Sequence, residues 1–417
     1  MNVIILLKEV IFLKSEKRLL MISLDAVSSD DLYVLSMLPN FSSLLKKGTL
    51  VRNVNSVFIS NTYPCHTSII TGMLPNSHGI TDNVYLLPKR KKQKWRFHSR
   101  EIKEQTLYEN AGHAGIKTCS ILYPVTGGAK IDLNFPEIAE RMGFFKKLFH
   151  MLRLGSTGYV LSSLIRFGKL LKGSSQPELD DFSTAVAADT IIRHKPGLML
   201  LHLIDTDEHK HLYGPDSEKV LRSLERHDKR LGMLIDALKT AGTFEQTGII
   251  IFSDHGCLPV KKVVDPNDFL ESQGLIKRKN GALFMYDAYF HICGGTAFLK
   301  LYNEAKRDEI ILLRDKILEE EFTSRLVTQK EMQQSGMDLD YMFGIQASDG
   351  FAFGSDYKGQ HGYCLDREGY YPFYLAVGDT IESGKTLLGG CITDICPLAA
   401  YMLGLSEWNA DGVNRLK

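Results

Sequence analysis

Apolar residues run almost unbroken through 19–24, 120–123, 198–204 and 248–252, each run about the length of a strand buried on both faces. Between these runs the period changes. Residues 38–47 have helical spacing, and 217–241 line up Val220, Leu224, Leu231, Leu234 and Leu238 on one face, with Gly242 placed to close the C-terminus. Alternating strand and helix predicts an α/β fold with a mostly parallel sheet covered by helices, including a right-handed crossover between the runs at 198–204 and 248–252.

Two segments break this alternation. Residues 141–176 place Phe and Leu at helical spacing among Lys146, Lys147, Arg153, Arg166, Lys169 and Lys172, with no acidic residue. This predicts a helical insert or cap spanning 137–177, either packed on the body or contacting a membrane surface or the substrate. Residues 265–333 combine a strand region at 290–301 with a charged helix at 302–320, the pattern of a smaller subdomain within a single 1–417 catalytic domain.

At 417 residues, with 44% hydrophobic and 24% charged content, the chain can bury a large core and reads as a soluble globular protein. Fifty Lys and Arg against 49 Asp and Glu leave a formal net charge of +1, so no nucleic-acid partner is expected and any charge-based recognition is local. Seven dispersed cysteines lack the paired spacings of a zinc knuckle or a disulfide scaffold and favour a reducing, cytoplasmic location. The N-terminal stretch 1–17 is apolar but is interrupted by Lys8 and Glu9, and reads as a short extra segment in place of a signal peptide.

The chemistry gathers at the ends of the apolar runs. Leu24 is followed by Asp25, Ile204 by Asp205, Thr206 and Asp207, and Ser253 by Asp254, His255 and Gly256. In a parallel α/β sheet the carboxyl ends of the strands share one edge, so these carboxylates would converge and repel unless cations neutralised them. Asp207 and His211, four apart, would share a helical face and so a metal. Thr62 precedes Pro64 and a helix expected from His66 to Thr71. That puts its hydroxyl near a helix N-terminus, where phosphoryl anions are stabilised; the plainer role is an N-cap. A hydroxyl needs activation to attack phosphorus, and a metal held by Asp25, Asp254 and His255 would supply it.

The segments 24–27 (LDAV), 61–83 (NTYPCHTSIITGMLPNSHGITDN), 121–132 (ILYPVTGGAKID), 205–215 (DTDEHKHLYGP), 253–256 (SDHG) and 359–363 (GQHGY) together resemble the nucleotide pyrophosphatase/phosphodiesterase (type I phosphodiesterase) family of the alkaline-phosphatase superfamily. The resemblance implies an alkaline-phosphatase-like three-layer sandwich and two divalent metal ions. One would be held by Asp207, His211 and His361, the other by Asp25, Asp254 and His255, with Thr62 as nucleophile and additional ligand. Zinc is the expected metal, with manganese or iron as alternatives on ligand type. It further implies phosphate contact by Asn83, stacking of a nucleotide base on Tyr63, and two-step displacement through a phosphothreonine. The substrate class it implies is a small phosphodiester or nucleotide. Cys65 stands where the family commonly has asparagine, which bears on substrate preference.

Three other functions remain open from sequence: a phosphomonoesterase, a phosphonate hydrolase, or a catalytically silent binding protein. The absence of an arginine near Thr62 after Arg52 tilts toward diesters. The basic run at 89–92 is either a solvated hairpin or an attractor for a polyanionic substrate.

Overall fold

The computed structural model describes residues 17–90, 92–337, 340–406 and 408–417; most of the apolar N-terminal segment lies outside them. Eight strands form the central sheet: β1 (Arg18–Leu24), β2 (Gly48–Arg52), β3 (Thr118–Ile121), β4 (Leu133–Phe135), β5 (Leu198–Leu203), β6 (Thr247–Phe252), β7 (Tyr374–Val377) and β8 (Lys385–Leu388). Their spatial order is β8-β2-β7-β6-β1-β5-β3-β4. Only β7 runs antiparallel to its neighbours, β6 and β2.

The pleat explains why the central runs are apolar throughout. Leu20, Ile22 and Leu24 of β1 face one way, into a core shared with Phe182 and Val186 of the helix Glu178–His194 and with Leu224, Leu231 and Leu234 of the helix Glu218–Ala241. Leu19 and Met21 face the other way, against Ile69 and Ile70 of the helix Thr62–Thr71 and Leu398 of the helix Ile395–Leu403. With helices on both sides neither face meets water, which selects continuous apolar strands over alternating ones. Gly242 closes the long helix in the left-handed region at φ 69°, as its position predicts.

A second sheet of four antiparallel strands, in the order Ala288–Ile292, Thr296–Leu301, Phe343–Ala347, Thr323–Val327, packs against Ile310, Leu313 and Ile317 of the helix Arg307–Leu318. The strand region expected at 290–301 is its first hairpin, and the sheet continues to Ala347, beyond the 265–333 read from sequence. The insert folds as two helices, Phe144–Leu154 and Thr157–Phe167, anchored to the body by Leu152, Val160 and Leu164.

Two buried histidines make the fold acid-sensitive. Burial pushes His78 and His227 down from 6.5 to about 3, because the cationic form loses its hydration. The unfolded chain takes up these protons below about 6.5 while the folded chain refuses them, so their contribution is complete above that pH and is lost as pH falls toward about 3. His78 is satisfied as a neutral ring by Ser68 Oγ and the Ile80 N–H. Neither ring nitrogen of His227 has a hydrogen-bond partner. His227→Leu is therefore expected to flatten the fall of Tm between pH 6.5 and 4 by about one proton's linkage. An unchanged slope in thermal melts of the variant would show that His227 does not carry this effect.

Candidate active site

Three strand ends deliver the carboxylates, as the alternating pattern predicts. Asp25 leaves β1, Asp254 and His255 leave β6, and the helix Asp205–Tyr213, which follows β5, carries Asp207 and His211 on one face. The ligand atoms of Asp25, Asp254 and His255 lie within 4.8 Å of one another, and so do those of Asp207, His211 and His361. Stacking of the His255 and His361 rings, 4.2 Å between centroids, joins the two groups.

Asp25 is 1% exposed and Asp254 0%, a costly place for two carboxylates. Burial pushes the Asp25 carboxyl well above its usual range, and Asp254, Asp207 and Glu137 push it further. Hydrogen bonds take only one oxygen of each buried acid. His202 Nε2 lies 3.0 Å from Asp25 Oδ2, and the Ala26 N–H donates to Asp254 Oδ1 at 3.2 Å. Asp25 Oδ1, Asp254 Oδ2 and Asp207 Oδ1 are left buried with no hydrogen-bond partner. Ala26 adopts φ 59°, a left-handed turn without glycine that brings its N–H onto Asp254.

The histidines show the complementary arrangement. His211 Nδ1 donates to Gly359 O at 2.9 Å and His255 Nδ1 to Gly256 O at 3.1 Å, since a backbone carbonyl can only accept. His361 Nδ1 meets Asn61 Oδ1 at 2.8 Å, and the Asn61 amide is oriented by donating its Nδ2 to Asp82 Oδ1 at 2.7 Å. All three rings are thereby held as Nδ1–H tautomers with the Nε2 lone pair left over, the arrangement of metal-ligating histidines. Orphaned carboxylate oxygens and aligned imidazole lone pairs fit two divalent cations.

Thr62 is the first residue of the helix Thr62–Thr71, its Oγ1 3.4 Å from His255 Nε2. The helix begins four residues before the start expected at His66. Asn61 is its N-cap residue, and Pro64 falls in the first turn, where a missing N–H costs no hydrogen bond. The earlier start places His66 one turn after Thr62, where its Nδ1 donates to Thr62 O and its Nε2 accepts from Ser23 Oγ.

Loop positions depend on close approach. A Cβ on Gly256 would sit 2.5 Å from Tyr370 O, and one on Gly362 1.8 Å from Cys293 O. Gly295 N–H donates to His361 O at 2.8 Å, so the second sheet holds the loop that carries His361.

Other expected positions fall differently. Asp205, at the end of the same run as Asp207, turns away and takes the guanidinium groups of Arg226 and Arg230 at 2.7 Å. Asn83 accepts the Tyr63 N–H at 2.7 Å through Oδ1, which leaves its Nδ2 as the donor it can offer. Tyr63 is 1% exposed, edge-to-face with Trp95 at 5.2 Å and packed among Ile80, Phe97, Val125 and Ile138. In this structure its ring presents no face on which a base could stack, because Met151 and Leu154 of the insert complete its enclosure.

Several residues of the site escaped sequence reading: His202, His66, Asn61, Asp82, His291 and Glu137. His202 left the clearest trace, as the one ionisable side chain inside the apolar run 198–203. A third group, Asp82, His291 and Cys293, also meets the metal-ligand distance. Its carboxylate is already engaged: Asp82 Oδ1 accepts from Asn61 and from the Asn83 N–H, and Oδ2 lies 2.8 Å from His291 Nε2. The hydrogen-bonded relay behind His361 is Asn61 and Asp82, with His291 at ion-pair distance beyond them.

The family model for type I phosphodiesterase / nucleotide pyrophosphatase matches residues 19–360. The chain belongs to this family. Human ectonucleotide pyrophosphatase/phosphodiesterase family member 1 (Homo sapiens) is 29% identical over 245 residues, 57% of this chain and 23% of that protein, so the chain spans about a quarter of that relative's length. Murine bis(5'-adenosyl)-triphosphatase enpp4 (Mus musculus) is 25% identical over 412 residues, 95% of this chain and 80% of that protein. Among solved structures, murine ectonucleotide pyrophosphatase/phosphodiesterase 5, inactive and in complex with AMP, superposes with a TM-score of 0.69 at 21% identity, covering 95% of this chain and 97% of that one. The fold of this type I phosphodiesterase family member is thus the alkaline-phosphatase-like α/β sandwich, its central sheet mixed and mostly parallel.

Proposed function

We propose that this chain is a two-metal phosphodiesterase or pyrophosphatase that acts through Thr62 on small phosphodiesters or nucleotides. The observation that carries the reading is the pairing of three orphaned carboxylate oxygens with three histidines held in the Nδ1–H tautomer around one threonine hydroxyl. Two divalent cations in these groups, zinc by donor type, would lower the pKa of the Thr62 hydroxyl and offset charge on the phosphoryl oxygens. Thr62 Oγ1 forms the new bond to phosphorus as the leaving oxygen departs on the opposite side, and water then opens the phosphothreonine at the same phosphorus. Asn83, its carbonyl pinned by the Tyr63 N–H, offers Nδ2–H to a phosphoryl oxygen. His202 and His66 keep Asp25 and the helix start in place.

Membership of a family of phosphodiesterases and pyrophosphatases supports diester or anhydride cleavage. The relatives' nucleotide names support a nucleotide substrate, while enclosure of Tyr63 favours recognition through the phosphoryl group over stacking on that ring. Seven unpaired cysteines, six of them buried, support a reducing, cytoplasmic location.

The test compares hydrolysis of bis-p-nitrophenyl phosphate, p-nitrophenyl thymidine monophosphate and p-nitrophenyl phosphate by protein stripped of metal and reloaded with zinc or manganese. Metal-dependent preference for either diester is expected. Preference for the monoester would move the chain to the phosphomonoesterases, and no turnover with two metals bound would sink the enzymatic reading.

A further inference from the structure

The insert leaves an apolar surface that the fold does not use. Among the described residues four phenylalanines are exposed, and three of them, Phe144 at 74%, Phe145 at 84% and Phe149 at 58%, lie on the helix Phe144–Leu154. Leu161 and Ile165, one turn apart on the neighbouring helix Thr157–Phe167, are also exposed, Ile165 at 75%. Phe284, Tyr33, Tyr213 and Tyr302 are exposed on other elements, whereas the insert gathers three exposed aromatic rings on one helix, and that concentration marks a contact surface.

Charge identifies the partner. Residues 141–176 carry seven Lys or Arg and no Asp or Glu. Arg166 pairs with Asp189, Lys172 with Glu178, and Lys147 donates to Ser174 Oγ. Arg141, Lys146, Arg153 and Lys169 are exposed and have no carboxylate partner among the described residues. At 3.6 residues per turn, Phe145, Phe149, Arg153 and Lys146 fall within one arc of about 100° on the helix surface. Aromatic rings flanked by unpaired cations form the face of an interfacial helix that meets anionic lipid. A second copy of the chain would bring the same cations onto each other. Among the described residues no helix is long and apolar enough to cross a membrane, so the contact is with a surface.

We propose that the insert is a docking surface for an anionic lipid bilayer, with Phe145, Phe149 and Ile165 entering the headgroup boundary and Lys146, Arg153 and Lys169 meeting lipid phosphates. The opposite side of the same helix faces the site. Met151 and Leu154 pack in the Tyr63 cluster, and burial beside Glu137 lowers the pKa of Lys147, with Glu137 drawing it back up. Docking through the outer face would therefore leave the inner face of this helix packed against Tyr63, the residue next to Thr62.

The test is co-sedimentation of the full chain with vesicles of phosphatidylcholine alone and with 30% phosphatidylglycerol, at low and high salt, and needs no turnover. It thus stays informative if the enzymatic reading fails. Binding to the anionic vesicles only, weakened by salt, is expected. The double variant Phe145→Asp/Phe149→Asp should weaken it at least about hundredfold, and Lys146→Ala/Lys169→Ala about thirtyfold, with thermal melts confirming that both variants fold. Equal binding to neutral vesicles, no binding to either, or binding indifferent to both double variants overturns the proposal. So does self-association in light scattering that Phe145→Asp/Phe149→Asp abolishes while vesicles stay unbound.

Discussion

Thr62→Ala is expected to lower kcat on bis-p-nitrophenyl phosphate by about 10⁴-fold or more while two equivalents of metal stay bound. Removing the hydroxyl removes the atom that forms the bond to phosphorus. The six carboxylates and imidazoles proposed as ligands, however, are positioned by strand ends, by Gly359 and Gly256 carbonyls and by Asn61, none of which depends on the threonine side chain. Metal analysis and steady-state kinetics on one preparation separate the two effects. Thr62→Ser, which keeps a hydroxyl on the same helix turn, should recover part of the rate. Loss of rate with equal loss of metal would make Thr62 a structural ligand only, and full activity in the alanine variant would remove it from the reaction.

Replacing His361 should cost one metal. Asp207 and His211 would remain as two ligands on a half-exposed helix, too few to retain the ion against solvent, so His361→Ala is expected to bind a single equivalent and to lose about 10³-fold in kcat. The relay behind His361 predicts a graded series. Asn61→Ala removes the acceptor that fixes the His361 tautomer but no ligand, and should weaken binding of one metal by about 10- to 100-fold with the second unchanged. Excess metal should restore activity to Asn61→Ala and not to His361→Ala. Titration with zinc under a competing chelator reads both affinities, and identical affinities in Asn61→Ala and the parent would show that the relay does not tune the site.

Much of the site was legible in sequence because strand ends in a parallel sheet are predictable places. The apolar runs at 19–24, 198–204 and 248–252 became β1, β5 and β6, adjacent in space, so the acids that follow them had to meet. The i, i+4 spacing of Asp207 and His211 needed only a helix, and one forms. Asp205 shows the limit of this logic. It lies two residues before Asp207 at the same strand end, yet it points at Arg226 and Arg230, because successive side chains on a helix diverge by about 100°.

The sequence by itself determined the α/β alternation, the shared strand-end edge, five of the six expected metal ligands by position and, through its motifs, the sixth. These follow from local periodicity and from a rule about parallel sheets, neither of which needs knowledge of distant contacts. Tertiary structure alone decided which nitrogen of each histidine faces the proposed metal sites, that Asn61, Asp82 and His291 stand in line behind His361, and that Tyr63 is enclosed beneath Trp95 and the insert. Asn61 and His361 are 300 positions apart in the chain and Asp82 and His291 are 209 apart, and no local pattern encodes such pairings. They arise only when the two sheets pack and bring these buried polar groups together.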